Sequence, residues 1–321
     1  MKQARFEQRY EADWHWLEQQ FDVLERLRPD DRARDPRVAS LPACYRRLCH
    51  QQALARERGY SLSLVQRLDD LVLRGYRLLY RPRLPVAEPV RRFLIRDFPR
   101  AVRAQWPWQL ASAAAFCLSL LLLWWLVRSE PEMVYALLDA DTASQMEDMY
   151  HPDAPHRHQR DSGDDVTMFG YYIYNNIGIA FRTFAGGIFF GIGALIVMLF
   201  NGSYFGAVAA HLTNSGFHEP FFTFVIAHGA PELTAIVLAG GAGLRLGWAL
   251  LAPGPWSRLT ALRLAAGDAM PVMYGAFALL LLAAFVEAFW SPRLFEPWIK
   301  YSVGGLCWLL TLAYLLLAGR R

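Results

Sequence analysis

His228 and Glu232 stand four residues apart in the apolar segment FVIAHGAPELTAIVLAGGAGLRLGWALL, residues 224–251. At that spacing an α-helix places both side chains on one face. A histidine and a carboxylate so arranged can share a hydrogen bond, move a proton or offer two ligands to a metal ion. Zinc catalysis needs a third ligand, and the two-histidine HExxH pattern is absent. His211, in the preceding segment, can supply one, although nothing in its spacing requires it. The same segment carries Arg245, and a second glycine-rich stretch, YNNIGIAFRTFAGGIFFGIGALIVMLFNG, carries Asn175, Asn176, Arg182 and Asn201. A lone charge at the centre of a bilayer costs roughly 3 kcal/mol on insertion scales, so such residues face a protein interior or a wet cavity. The expectation is a polar site inside a helical bundle, with Glu232 neutralised by Arg182 or by the asparagines. On that reading His228 and Glu232 form a hydrogen-bonded lock rather than a metal centre, and no metal, cofactor or catalytic residue is assigned. The chain shows no nucleophile elbow, phosphate loop or dinucleotide fingerprint, and nothing in it points to nucleic acid.

The elements that must position these side chains are membrane spans. The 321 residues are 54% hydrophobic, and that content is uneven. Residues 1–105 hold 22 basic and 14 acidic residues, whereas the long apolar runs lie in 106–321. The division expected is a cytoplasmic helical head over 1–105, with a basic juxtamembrane helix, and a transmembrane domain over 106–321. The opening MKQARFEQRYEADWHWLEQQ has no apolar core, which argues against a signal peptide and keeps the head in the cytoplasm. Cys44, Cys49, Cys117 and Cys307 lack zinc-ligand spacing and read as packing residues. Every basic residue is arginine except Lys2 and Lys300.

In the head, Phe6, Tyr10, Leu17, Phe21 and Leu24 recur at helical spacing. Two further helices are expected over 36–58 and 61–81, broken at Gly59, with Ser61 as an N-cap. The segment VRRFLIRDFPRAVRAQWPW places Val90, Phe93, Leu94 and Phe98 on one face and arginines around the rest, the pattern of a helix lying on an anionic leaflet. Spans follow at about 110–127, 174–200, 221–250, 269–290 and 298–318. Residues 129–169 hold ten acids against Arg157 and Arg160, which places them outside by the positive-inside rule. Met133, Leu137, Leu138, Met146 and Met149 suggest an interfacial helix in that loop, and its His151, His156 and His158 read as a solvated cluster. Arg320 and Arg321 anchor the end inside. With both termini inside the crossings are even in number, so residues 203–219 must cross as a short third span, giving six. The rival is a re-entrant loop there, with five crossings.

Gly187 and Gly191 in the second span, and Gly243 and Gly247 in the fourth, follow the small-xxx-small pattern that lets helix backbones approach closely. That places both spans inside a bundle or at a homodimer interface. No clear internal repeat appears, which weakens a secondary-transporter reading.

Taken together, NNIGIAFRTFAGGIFFGIG, LFNG and HGAPELTAIVLAGGAGLRLGWALLAPG resemble the stage II sporulation protein M family of bacterial membrane proteins. The resemblance rests on Asn175-Asn176, Asn201-Gly202, His228-Gly229, Glu232-Leu233 and Pro253, and is sharpest over 171–254. In the head, Trp16-Leu17, Tyr45-Arg46 and the tyrosine- and leucine-rich stretch ending near Tyr80 follow it. The resemblance implies an all-helical, polytopic inner-membrane protein that works without catalysing a reaction. Sporulation members of the family are membrane scaffolds that gather peptidoglycan-degrading partners during engulfment, and some relatives are encoded beside a MoxR-type ATPase. The expected role is therefore a scaffold or assembly subunit of cell-envelope machinery, in contact with lipid and with other envelope proteins. The second expectation is a transporter or channel with a polar interior around Arg182, His228 and Glu232. A metalloenzyme ranks third.

Overall fold

The computed structural model describes residues 2–27, 35–79, 87–151 and 162–320. Those residues form helices joined by turns and short connections, without strands, and divide into two compact units, Met1–Pro89 and Val90–Arg321. In the first unit α1 (Gln3–Arg26), α2 (Arg37–Glu57) and α3 (Leu62–Leu79) share one core. The helical spacing in α1 does what it implies: Phe6, Leu17, Phe21 and Leu24 are buried, joined by Trp14. The Trp14 indole N–H donates to Gln51 Oε1 at 2.8 Å, so the one polar atom of that buried ring is satisfied. Gly59 separates α2 from α3 at φ +60°, a backbone that glycine adopts without strain. Outside the core, Arg67 bridges Glu11 and Glu18. The hydrogen bond from Arg67 holds the Glu18 carboxyl below its usual range. The end of the third predicted helix, at Tyr80 and Arg81, and His156 and His158 of the loop lie outside the described residues.

The second unit begins with the basic segment that its composition had assigned to the head. Here α4 (Ala87–Arg92), which spans the boundary between the units and buries no residue, leads into a π-helical turn (Phe93–Asp97) and α5 (Phe98–Ala104), and α5 packs on the last two helices of the bundle. Then come α6 (Trp106–Ser129), a 3₁₀ turn (Pro131–Ala136), α7 (Ala140–Tyr150), α8 (Ser162–Gly186), α9 (Ile192–Asn214) and α10 (His218–Leu251). The chain ends with α11 (Arg258–Phe285), a second π-helical turn (Val286–Trp290) and α12 (Pro297–Leu317). Val134 and Leu138, just after α6, bury themselves against Ala207 to Leu212 of α9, and Asp139 caps α7 by accepting from the Thr142 amide.

Five of these helices are long and apolar enough to cross a bilayer: α6, α9, α10, α11 and α12. The sixth candidate is α8, whose 25 residues are long enough to span but carry Asp164, Asp165, Asn175, Asn176 and Arg182. Parity favours counting it. Arg103 of α5 donates to the carbonyls of Leu315 and Ala318 at 2.6 and 2.7 Å, and Arg100 donates to Gly319. The chain just before the first candidate span thus meets the chain just after the last, the contact that an even number of crossings would produce. Arginine is suited to that contact, since the last carbonyls of a helix lack amide partners and carry negative partial charge. The same contact revises the juxtamembrane expectation. Leu94 and Ile95 are exposed, but Phe98 is buried against Tyr314 and directly over Gly275.

One span boundary differs from expectation. The stretch 174–200 is not a single helix. It breaks at 187–191, where Phe190 (φ +53°) and Gly191 (φ +83°) take left-handed conformations and reverse the chain. The polar half of that stretch therefore lies in α8, and residues 203–214 of the short crossing expected over 203–219 belong to the full-length α9, one of the five apolar helices. In an apolar run, glycines that let helices approach and glycines that let the chain turn look alike.

Candidate functional site

Contacts made by α10 organise the second unit. At one end, the chain reversal between α8 and α9 sits on α10 with backbone against backbone. A Cβ placed on Gly187 would lie 2.1 Å from the Gly243 carbonyl oxygen, and one on Gly247 would lie 2.0 Å from the Gly191 amide nitrogen. The four glycines singled out by spacing thus meet as two cross-pairs, although Gly187 and Gly191 occupy the turn and not a helix face. A similar approach joins α9 to α6, where a Cβ on Gly206 would lie 2.2 Å from the Leu120 carbonyl oxygen.

Toward the other end, α10 brings His228 and Glu232 to the close of α11 and the start of α12. His228 Nδ1 is 2.9 Å from Ser291 Oγ, and the Ser291 carbonyl accepts from Lys300 Nζ at 2.6 Å. His228 Nε2 points to Glu287 Oε1 at 4.0 Å, too long for a hydrogen bond. One donor atom each from His228, Glu232 and Glu287 lie within 4.8 Å of one another. His228, Glu287, Ser291 and Lys300 are all at least nine-tenths buried. Glu232 Oε2 is also shielded and has no hydrogen-bond partner among the described residues.

Local backbone chemistry explains why the two main helices can build this cluster. Pro231 lies inside α10 between the two site residues. Lacking an N–H, it leaves the Ala227 carbonyl, next to His228, without its helical partner. Glu287 sits in the π-helical turn that closes α11, where a wider turn re-aims side chains. Both helices thus depart from regular α geometry beside the cluster.

The six polar residues expected to share one interior do not all meet. Asn175 is exposed and donates to Asn176 Oδ1 at 3.1 Å, while Asn176 is buried. Asn201 donates back to the Val197 carbonyl of its own helix at 2.8 Å. Arg182 is exposed, and among the described residues no ion pair joins it to Glu232. His211 lies 3.0 Å from Glu147 Oε1 and does not join His228. Only His228 and Glu232 converge, and their partners were missed. Glu287 is the lone acid in the apolar run 269–290, and Lys300 is one of two lysines in the chain. Those two isolated charges beside a span boundary were the available signal.

This arrangement defines a polytopic α-helical membrane protein with a glycine-sealed bundle and one buried histidine–carboxylate cluster. The family model for stage II sporulation protein M matches residues 112–292, more than half of the chain, and the protein belongs to that family. The matched region holds the glycine contacts and the cluster as far as Ser291, and stops short of Lys300. A second model, a domain of unknown function (DUF8413), matches residues 4–81 in the head. No curated protein and no solved structure matches the chain.

Proposed function

We propose that this protein is a non-enzymatic scaffold, or assembly subunit, of bacterial cell-envelope machinery in the cytoplasmic membrane, with both termini in the cytoplasm. The observation that carries this reading is the dispersal of the polar residues. A transport path built from Asn175, Asn176, Arg182, Asn201, His228 and Glu232 needs them to line one interior. Asn201 is instead satisfied within its own helix, and Arg182 and Asn175 lie on the outside of the bundle. Backbone-to-backbone glycine contacts favour a fixed bundle over one that opens and closes. Partners of a scaffold would be other envelope proteins, and a MoxR-type ATPase is one candidate.

The transporter reading keeps one specific support, the buried and unpartnered Glu232 Oε2. Two measurements separate the readings. Tagged protein purified from native membranes should bring down an envelope protein in fixed stoichiometry. Vesicles containing the purified protein should leak no faster than empty ones. A flux of ions or small solutes that disappears in Glu232→Gln would replace the scaffold with a transporter.

A further inference from the structure

We infer that His228, Glu232 and Glu287 are the ligands of one divalent transition-metal ion, of the zinc class, that fastens α10 to the end of α11. The proposal does not depend on the scaffold reading, and concerns a structural ion.

The donor set is one imidazole and two carboxylates, brought from two helices to within 4.8 Å. Zinc binds histidine nitrogen and carboxylate oxygen at about 2.0–2.2 Å. Two ligand atoms on one such ion must stand further apart than hydrogen-bonded atoms do. The 4.0 Å between His228 Nε2 and Glu287 Oε1 is too long for a direct bond and about half an ångström wider than two ligands of a tetrahedral zinc-class ion, a gap that side-chain adjustment on binding would close.

The surroundings of the histidine point the same way. A metal-bound histidine commonly donates its other ring N–H to an oxygen, which fixes tautomer and orientation. Here Nδ1 lies 2.9 Å from Ser291 Oγ. When Nδ1 carries the proton, the Nε2 lone pair faces the Glu287 carboxylate, an arrangement that repels unless a cation lies between them. Ser291 is itself held by Lys300 through its carbonyl.

Charge makes the argument stronger. Two carboxylates, Glu287 buried and Glu232 half-buried, converge beside His228, while the Lys300 ammonium is engaged by the Ser291 carbonyl. Glu232 Oε2 is shielded from solvent without a hydrogen-bond donor. A divalent ion with two carboxylates and a neutral imidazole is an uncharged complex, the form least costly to bury. Imidazole with carboxylate suits zinc and its first-row neighbours, while an all-oxygen set would suit magnesium or calcium.

The test uses full-length protein, carrying a tag without histidines, purified in mild detergent through a chelator and then freed of it. Titration with Zn²⁺, and with Co²⁺ as a coloured probe, at neutral pH should show one saturable site per chain. Metal should raise the melting temperature of the wild type. His228→Gln and Glu287→Gln preserve volume and should lose both the site and the metal-dependent shift. Ser291→Ala should still bind, about 10–100-fold more weakly, which keeps the idea testable if a ligand variant fails to fold. Absence of a saturable site in the folded wild type would overturn the proposal, because Lys300 or a shared proton would then suffice. Binding retained undiminished in His228→Gln or Glu287→Gln, or unaltered in Ser291→Ala, would place the ion elsewhere and overturn it equally.

Discussion

Gly247→Ala should prevent the folded protein from accumulating. The added methyl carbon would lie 2.0 Å from the Gly191 amide nitrogen and 2.3 Å from its Cα, both backbone atoms that cannot swing aside. Overpacking in a well-filled core costs roughly 1–3 kcal/mol, occasionally more. This site belongs at the upper end, because relief requires moving α10 away from the whole reversal between α8 and α9. Gly187→Ala should behave alike, at 2.1 Å from the Gly243 carbonyl oxygen. Gly267→Ala, with open space around its would-be Cβ, is the control and should accumulate normally. Membrane-fraction yield and monodispersity on size exclusion read the outcome. Normal behaviour of Gly247→Ala would mean that α10 does not touch the reversal.

Arg293→Met should destabilise the protein by on the order of 2–3 kcal/mol. Arg293 hydrogen-bonds Asp165, whose side chain is 2% exposed at the start of α8. Losing one partner of a wholly buried pair costs about 3–5 kcal/mol, because the other charge stays buried. The value here is lower because Arg293 is 45% exposed. Adding Asp165→Asn to Arg293→Met should recover part of the loss, since the buried charge is then gone. Thermal melting of the two single variants and the double variant in detergent checks this. Additive losses would show that the two residues are not coupled.

Much of the fold was legible because its signals are periodic. Helical spacing in the head located α1 and most of its core. Long apolar runs located the spans after the outer loop, and the arginine balance required an even number of crossings. The contact of Arg103 with Leu315 and Ala318 is the one that an even number of crossings would produce. The break at 187–191 was not legible, because hydropathy is continuous across it and glycine serves both packing and turning. The cluster was half legible. His228 and Glu232 share a helix, so spacing alone joins them. Glu287 lies 55 positions beyond Glu232, and only the packing of α11 on α10 brings it near. The Arg182–Glu232 pairing failed for a related reason: charges that complement each other in sequence need not share a face. Arg182 points away from the bundle, while Glu232 turns toward α11.

The central claim is a six-crossing bundle whose ends lie on one side, with α7 on the opposite side from the α10–α11 connection. It is tested most directly by single cysteines at two exposed positions, Ser144 on α7 and Ala252 after α10. The four native cysteines are first replaced, and intact cells are treated with a thiol reagent that cannot cross the membrane. Ser144→Cys should be labelled and Ala252→Cys spared until the membrane is opened. Labelling of Ala252→Cys in intact cells alongside Ser144→Cys would put both on one side and contradict the account.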